Sequence, residues 1–277
     1  MFRFPTTLPK LKCSRPQGLP FFRWDDVERI QFLGSGSYSD VSVYRKKTGE
    51  KVAIKTFKNN VKKDLIDKEV LLVGGLEHRN VVKALGFSDV MPNGMMMEYC
   101  MFDLKPFTDV NLQVSTLSGL LPILDDCNCE QFQHLQIHAA AGLLHGLSYL
   151  HSKGVVHRDL KPDNVLVSNQ QYVGLYEVNP AMFLKSWQEN PICIKLSDFG
   201  EGRSSLIQTS TLLHTATANA YRGSPAFMAP EILIPLYRPE RPTETTSIEV
   251  MKSSDVWSLS LIFHHLVFPD IRYVNEH

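Results

Sequence analysis

Eight consecutive residues, His157-Arg158-Asp159-Leu160-Lys161-Pro162-Asp163-Asn164, combine a base, a cation and an amide at spacings that suit phosphoryl transfer. Asp159 can accept the proton of a substrate hydroxyl. Lys161 can neutralise charge on the moving phosphoryl group. Asn164 can offer a divalent cation its amide oxygen. Such a cation needs a second oxygen donor, and Asp198 in Lys195-Leu196-Ser197-Asp198-Phe199-Gly200 offers one. Either stretch alone also reads as an ordinary polar turn between core segments. Farther upstream, Lys55 ends the apolar run Val52-Ala53-Ile54. An unpaired ammonium there would cost several kcal/mol, so Lys55 needs an anionic partner.

These groups have to be held by regular elements. The catalytic-type loop lies between apolar stretches at 143–156 and 165–167, which fits a short turn on buried flanks. Leu33-Gly34-Ser35-Gly36 leads into Ser39 and the alternating Val41 and Val43, a glycine-bearing turn between two strands. Its backbone amides can approach phosphate oxygens. Residues 51–57 read as the next strand. Residues 64–76 read as a helix through Leu65, Lys68, Leu72 and Leu76, with Glu69 and Asp67 as competing partners for Lys55. Residues 94–100 read as a further strand and its exit. Residues 103–131, interrupted by Pro106, Gly119 and Pro122, suggest one short helix and loops. A strong amphipathic helix is expected over 132–152, with Leu135, Ile137, Ala140, Leu144, Leu147 and Leu150 inward and Lys153-Gly154 as its stop. His134, His138, His145 and His151 along it read as surface or capped histidines.

Composition narrows the class. The chain has 277 residues, 43% hydrophobic and 21% charged, ample for one large domain or two lobes. Its 29 basic and 29 acidic residues balance, so no electrostatic case arises for nucleic acid or an anionic membrane. No apolar run reaches the roughly 20 residues needed to span a bilayer. Cys13, Cys100, Cys127, Cys129 and Cys193 form no paired CxxC spacing and read as reduced thiols of a cytoplasmic protein. Cys127-Asn128-Cys129 lacks a second ligand pair for zinc. Residues 1–23 read as a flexible leader. Pro5, Pro9, Pro16 and Pro20 oppose both a signal-peptide core and an amphipathic presequence.

The motifs together resemble the eukaryotic protein kinases, over residues 30–270. His157–Asn164 matches that family's catalytic loop and Asp198-Phe199-Gly200 its metal motif. Leu33–Val41 is similar to its glycine-rich loop, with Ser39 where a third glycine would stand. Val52-Ala53-Ile54-Lys55 resembles its phosphate-clamping strand, and Glu69 its helix glutamate. Leu76–Val82 is similar to the connection into its fourth strand. Ala229-Pro230-Glu231 and Ser254-Asp255-Val256-Trp257-Ser258 resemble its anchor motif and the start of its central helix, with Ser260 replacing a glycine.

The resemblance implies an α+β, two-lobed fold with the small lobe and hinge over 24–100 and an incomplete large lobe over 101–277. It implies ATP bound between the lobes by Leu33, Gly34, Gly36, Val41, Ala53, Lys55, Met97, Glu98, Cys100 and Leu166. Adenine would meet backbone groups after Met97. Magnesium would be held by Asn164 and Asp198, with Asp159, Lys161, Lys55 and Glu69 catalytic. Ser204, Ser205, Thr209, Ser210, Thr211, Thr215 and Thr217 would lie in an activation segment, where phosphate could pair with Arg158. Lys161 and Gly223-Ser224 resemble the serine/threonine branch, with dual specificity still open. The implied partner is a protein substrate with a Ser or Thr acceptor, in signal transduction.

Two features depart from the pattern. Residues 168–191 are an insertion between the catalytic loop and Asp198. They are rich in Tyr172, Tyr176, Phe183 and Trp187, and are expected to pack on the large lobe or on a partner. The helix through Val256, Trp257, Leu259, Ile262, Phe263 and Phe268 is apolar on nearly every side, and only residues 269–277 follow it. Open apolar surface, a covering protein partner, weak stability and poor activity are therefore expected. A catalytically weak scaffold is the rival function. A small-molecule kinase is disfavoured by the Ala-Pro-Glu anchor.

Overall fold

The computed structural model describes residues 19–107, 112–126, 130–200, 202–204, 224–237 and 247–268. The small lobe begins with β1 (Val27–Ser35), β2 (Ser39–Lys46) and β3 (Lys51–Phe57), followed by α1 (Lys63–Gly74), β4 (Ala84–Ser88) and β5 (Gly94–Glu98). The strands form one antiparallel sheet in the order β1-β2-β3-β5-β4.

Strand periodicity sets the two faces of this sheet. Val52 and Ile54 of β3 join Met96 on the outer face, beneath Phe22, Trp24 and Tyr44. Phe57, Met95 and Met97 turn to the inner face, against Ile66, Val70 and Val73 of α1. The inward stripe of α1 is thus Ile66, Glu69, Val70, Leu72 and Val73; Leu72 and the following Leu76 are buried as expected, whereas Leu65 is 40% exposed. The end of the expected leader also differs. Phe22 N donates to Phe87 O (3.1 Å) and Phe87 N to Pro20 O (3.0 Å), so residues 19–23 lie along β4. The apolar residues of this short run cover a sheet face that would otherwise meet water.

The large lobe opens with the short strands β6 (Phe102–Asp103) and β7 (Gln113–Val114), which pair as a hairpin. Next come α2 (Leu117–Asp126), α3 (Glu130–Ser152), β8 (Val155–Val156) and β9 (Val165–Ser168). The insertion supplies α4 (Gln170–Val173) and α5 (Pro180–Glu189). β10 (Cys193–Leu196), β11 (Arg203–Ser204), α6 (Pro230–Tyr237) and α7 (Ile248–Val267) complete the described elements.

α3 buries Leu135, Ala139, Leu143, Leu147 and Leu150, while Ile137 and Leu144 are 69% and 50% exposed. Leu135, Leu147 and Leu150 lie inward as expected, whereas Ala139 and Leu143 take the places expected of Ile137 and Leu144. Gly142 and Gly146 lie on the buried side between these residues. A Cβ at either would come within 3.0 Å or 2.7 Å of Asn80, so these positions admit the connecting loop 76–82. That loop joins the lobes: Val82 N donates to Leu196 O, Leu196 N to Asn80 O, and Asn80 Nδ2 to Ile194 O. The histidines of α3 behave as capped groups. His134 contacts Gln188 O and His138 contacts His134 O.

α7 buries Met251, Asp255, Leu259, Ile262 and Leu266 and leaves Val256, Trp257, Val267 and Phe268 more than two-fifths exposed. The insertion packs elsewhere, on Phe107. Among the described residues no helix is long and apolar enough to cross a membrane.

Candidate active site

β3 delivers Lys55 to the inner face of the small lobe, with its side chain 8% exposed. Its ammonium lies 2.6 Å from Glu69 Oε1 and 2.7 Å from Asp198 Oδ1. Glu69 reaches it because it shares the inward stripe of α1, three residues after Ile66. Asp67, the competing candidate, is half-buried away from Lys55 and contacts Lys63 at 3.5 Å. Burial acts most strongly on Lys55 and disfavours its charge, but the two carboxylates outweigh it and hold its pKa above the ordinary lysine value. Burial pushes Glu69 up, against the pull of Lys55. Asp198 is also opposed by burial, yet Lys55 holds it below the usual carboxylate value.

The turn from β10 brings Asp198 into place with a left-handed φ of 62°. Such a backbone costs on the order of 1–3 kcal/mol outside glycine and needs support from its surroundings. Phe199 supplies it, buried to 2% and 5.1 Å from the His157 ring. With Phe199 packed inward, the Asp198 carboxylate faces the cleft.

The loop after β8 is fixed from below by Asp255 of α7, which is 1% exposed. Its carboxylate accepts from His157 N and Arg158 N, both at 2.8 Å, and contacts His151 Nε2 at 2.9 Å. These bonds hold Arg158 at a φ of 71° and so aim Asp159. His157 is fully buried. Its Nδ1 accepts from Asp159 N, so Nε2 donates to Ser197 O at 2.9 Å.

Asp159 is surrounded by donors. Ser224 N donates to Oδ1 at 2.8 Å, while Asn164 Nδ2 and Lys161 Nζ reach Oδ2 at 2.9 Å. Lys161 Nζ also donates to Ser224 Oγ at 2.7 Å. The carboxylate is thereby oriented, with lone pairs left for an acceptor hydroxyl. Sequence reasoning used Ser224 only as a branch marker and did not assign Asp255 to the site. The available signal was a carboxylate directly before the apolar residues Val256, Trp257 and Leu259.

All ten expected nucleotide residues line one cleft of about 900 Å³ between the lobes, together with Glu69, Lys161, Asn164 and Asp198. Asp159 lines an adjoining recess of about 430 Å³ that shares Gly36, Lys55, Glu69, Lys161, Asp198 and Ser224 with the cleft. These volumes suit a bound small molecule. Gly36 N donates to Ser39 O at 2.8 Å and closes the turn above the cleft, with Ser39 buried in the expected third-glycine position. Met97 is 9% exposed and serves both the core and the cleft wall. The Glu98 side chain binds Lys195 (2.9 Å) and Lys83 N (2.8 Å). Gln113, Ser115 and Thr116 also line the cleft, and sequence reasoning missed them.

Asn164 Oδ1 and Asp198 Oδ2 are hard oxygens at the cleft wall. Asn164 directs its Nδ2 to Asp159, and Lys55 occupies Asp198 Oδ1. This donor set fits a magnesium ion. Among the described residues no cluster of three His, Cys, Asp or Glu side chains is placed to hold a metal. Cys127 and Cys129 lie outside the described residues. Ser204 closes β11, whereas Ser205, Thr209, Ser210, Thr211, Thr215, Thr217 and Gly223 lie outside the described residues.

Burial, followed by the nearby Glu98 charge, pushes the Cys100 thiol up to about 12. The thiol therefore stays protonated at neutral pH, although an ordinary cysteine titrates near about 8.5. Iodoacetamide at neutral pH should leave Cys100 unmodified in the native chain and label it after denaturation, as read by peptide mass spectrometry. Rapid native labelling would contradict this placement.

A model of the protein kinase domain matches residues 27–277. Over 247 residues the chain is 26% identical to the probable serine/threonine-protein kinase gdt4 of Dictyostelium discoideum, covering 88% of this chain and 12% of that protein. It is 28% identical to the serine/threonine-protein kinase TIO of Arabidopsis thaliana, over 87% of this chain and 14% of that one. It is 29% identical to the serine/threonine-protein kinase ULK1 of Homo sapiens, over 86% and 19%. The chain thus spans less than a fifth of the length of these relatives. The match across both lobes, on the cleft just described, places this chain in the protein kinase family.

Proposed function

We propose that the chain transfers the γ-phosphoryl group of ATP to serine or threonine hydroxyls of protein substrates. The observation that carries this reading is the convergence of two charged clusters on one cleft: Lys55 with Glu69 and Asp198, and Asp159 with Lys161 and Ser224. Lys55, already held between two carboxylates, neutralises and orients phosphate oxygens. Asp159 accepts the hydroxyl proton as the acceptor oxygen attacks. Lys161 neutralises charge on the transferred group. Magnesium, when bound at Asn164 and Asp198, supplies positive charge to the phosphates. The protein's share is positioning and charge complementarity in a partly dry site.

A scaffold with little activity is the second reading. The open face of α7 at Val256, Trp257, Val267 and Phe268 favours it, since such a face can receive a partner. Incubation of the purified chain with Mg-ATP and a generic basic protein separates the two. Phosphate on serine or threonine supports the kinase reading; phosphate on tyrosine would redirect the specificity. Nucleotide binding without transfer to protein favours the scaffold.

A further inference from the structure

The run before β1 fits the small lobe through notches left by three glycines. β4 is the edge strand of the sheet, and Phe21 forms a parallel bridge to Phe87 along that edge. A Cβ at Gly86 would come within 2.9 Å of Pro20 O, and one at Gly94 within 2.8 Å of the Trp24 ring. Trp24 is anchored there by its Nε1, which donates to Val90 O at 3.2 Å and Pro92 O at 3.1 Å. The rings of Phe22 and Tyr44 flank it, with centroids 5.3 Å and 5.8 Å away. The third notch lies on α1. A Cβ at Gly74, the last residue of that helix, would come within 3.0 Å of Leu19 Cδ1. Leu19 packs against the core that holds Ile66, Val70 and Val73.

α1 needs such a hold. Its first turn has no side-chain cap at Lys62. It also carries a buried carboxylate, Glu69, on the face turned to Lys55. A carboxylate at this depth is costly unless its cation is in reach. Glu69 stands five residues before Gly74, about 7.5 Å along the helix axis. A hold at Gly74 therefore fixes the height and rotation of Glu69. Phe22 and Trp24 pack on the outer face of the sheet with Val52, Ile54 and Met96, on the side away from α1. Leu19 is the residue of this run seated against the helix.

We infer that residues 19–24 form a strap that sets the position of α1, with Leu19 as a positioning residue for the Lys55–Glu69 pair. This rests on the catalytic reading of that pair proposed above. Without the leucine side chain the notch at Gly74 is empty and the end of α1 gains freedom, so Glu69 spends less time on Lys55. Lys55 then loses one of the two carboxylates that hold its ammonium and becomes more open to solvent.

Two measurements on the full chain test this. Brief treatment with N-hydroxysuccinimidyl acetate, read by peptide mass spectrometry, reports how open each lysine is. Leu19→Ala should raise acetylation of Lys55 by about 3- to 10-fold through local opening of α1, with Lys195 unchanged. Lys195, its side chain 14% exposed beside Glu98, reports on the large lobe. Leu19→Met, close in volume, should keep Lys55 as protected as in the wild type. In turnover with Mg-ATP and a generic basic protein, Leu19→Ala should lower kcat/KM by about 5- to 10-fold. In a Glu69→Gln background the same substitution should cost less than about 2-fold, because both changes act on one pair. Lys55 labelling that stays at the wild-type level in Leu19→Ala, or that rises together with Lys195, overturns the inference. So does a turnover loss from Leu19→Ala that is undiminished in Glu69→Gln. A rise confined to Lys55, in a chain with no phosphoryl transfer, upholds the hold of the strap on α1 and overturns the catalytic reading.

Discussion

Lys55→Met is expected to lower phosphoryl transfer by about 10³-fold or more, and Asp198→Asn by a similar factor, with the two-lobed fold retained. Losses of about 10²–10³ follow removal of a single preorganised charge-stabilising donor, and Lys55 serves both phosphate orientation and the alignment of two carboxylates. Methionine keeps the length of the stem and the packing of β3 but removes the charge. Glu69 is then buried without its cation, and burial already favours its protonated form, so it can neutralise instead of forcing the helix out. Asparagine at 198 keeps the shape of the carboxylate while removing the anionic ligand beside Lys55. Transfer rates measured beside circular dichroism and thermal melting check both variants. A wild-type rate in Lys55→Met would exclude this cleft as the reaction site.

Asp159→Asn is expected to reduce turnover by at least about 10²-fold, the low end for a positioned general base. The carboxylate now accepts from Ser224 N, Asn164 Nδ2 and Lys161 Nζ. An amide in its place must turn its own NH2 toward one of those donors and cannot take the acceptor proton. Lys161 also loses its anionic partner, so its hold on Ser224 weakens. The loss should fall on kcat more than on KM for ATP, because Asp159 lies in the recess beside the nucleotide cleft. Unchanged kcat would show that the loop does not deliver the base.

Much of this site was legible because its residues fall in short stretches with strong local patterns. The polar loop between buried flanks, the lysine ending β3 and the Asp198 turn need few long-range contacts to be read. The resemblance implies Glu69 over Asp67, and α1 turns Glu69 inward beside Ile66. In α3 the expectation holds for Leu135, Leu147 and Leu150 and fails for Ile137 and Leu144. Glycines at 142 and 146 carry no hydrophobic signal, yet their lack of side chains lets Asn80 approach and sets the buried stripe. The hairpin strands β6 and β7 are two residues each, too short for a period-two pattern. The partners of Phe107 lie about seventy to eighty positions away in the insertion, so nothing local announced their cluster. Trp24 is similar: its Nε1 donates to Val90 O and Pro92 O, far along the chain.

The most direct measurement follows labelled γ-phosphate from Mg-ATP onto a generic basic protein, using purified wild-type chain and Asp198→Asn prepared side by side. Label should appear on serine or threonine with the wild type and fall to background with Asp198→Asn. Equal labelling by both chains, or none from a wild type that binds ATP, would contradict phosphoryl transfer at this cleft.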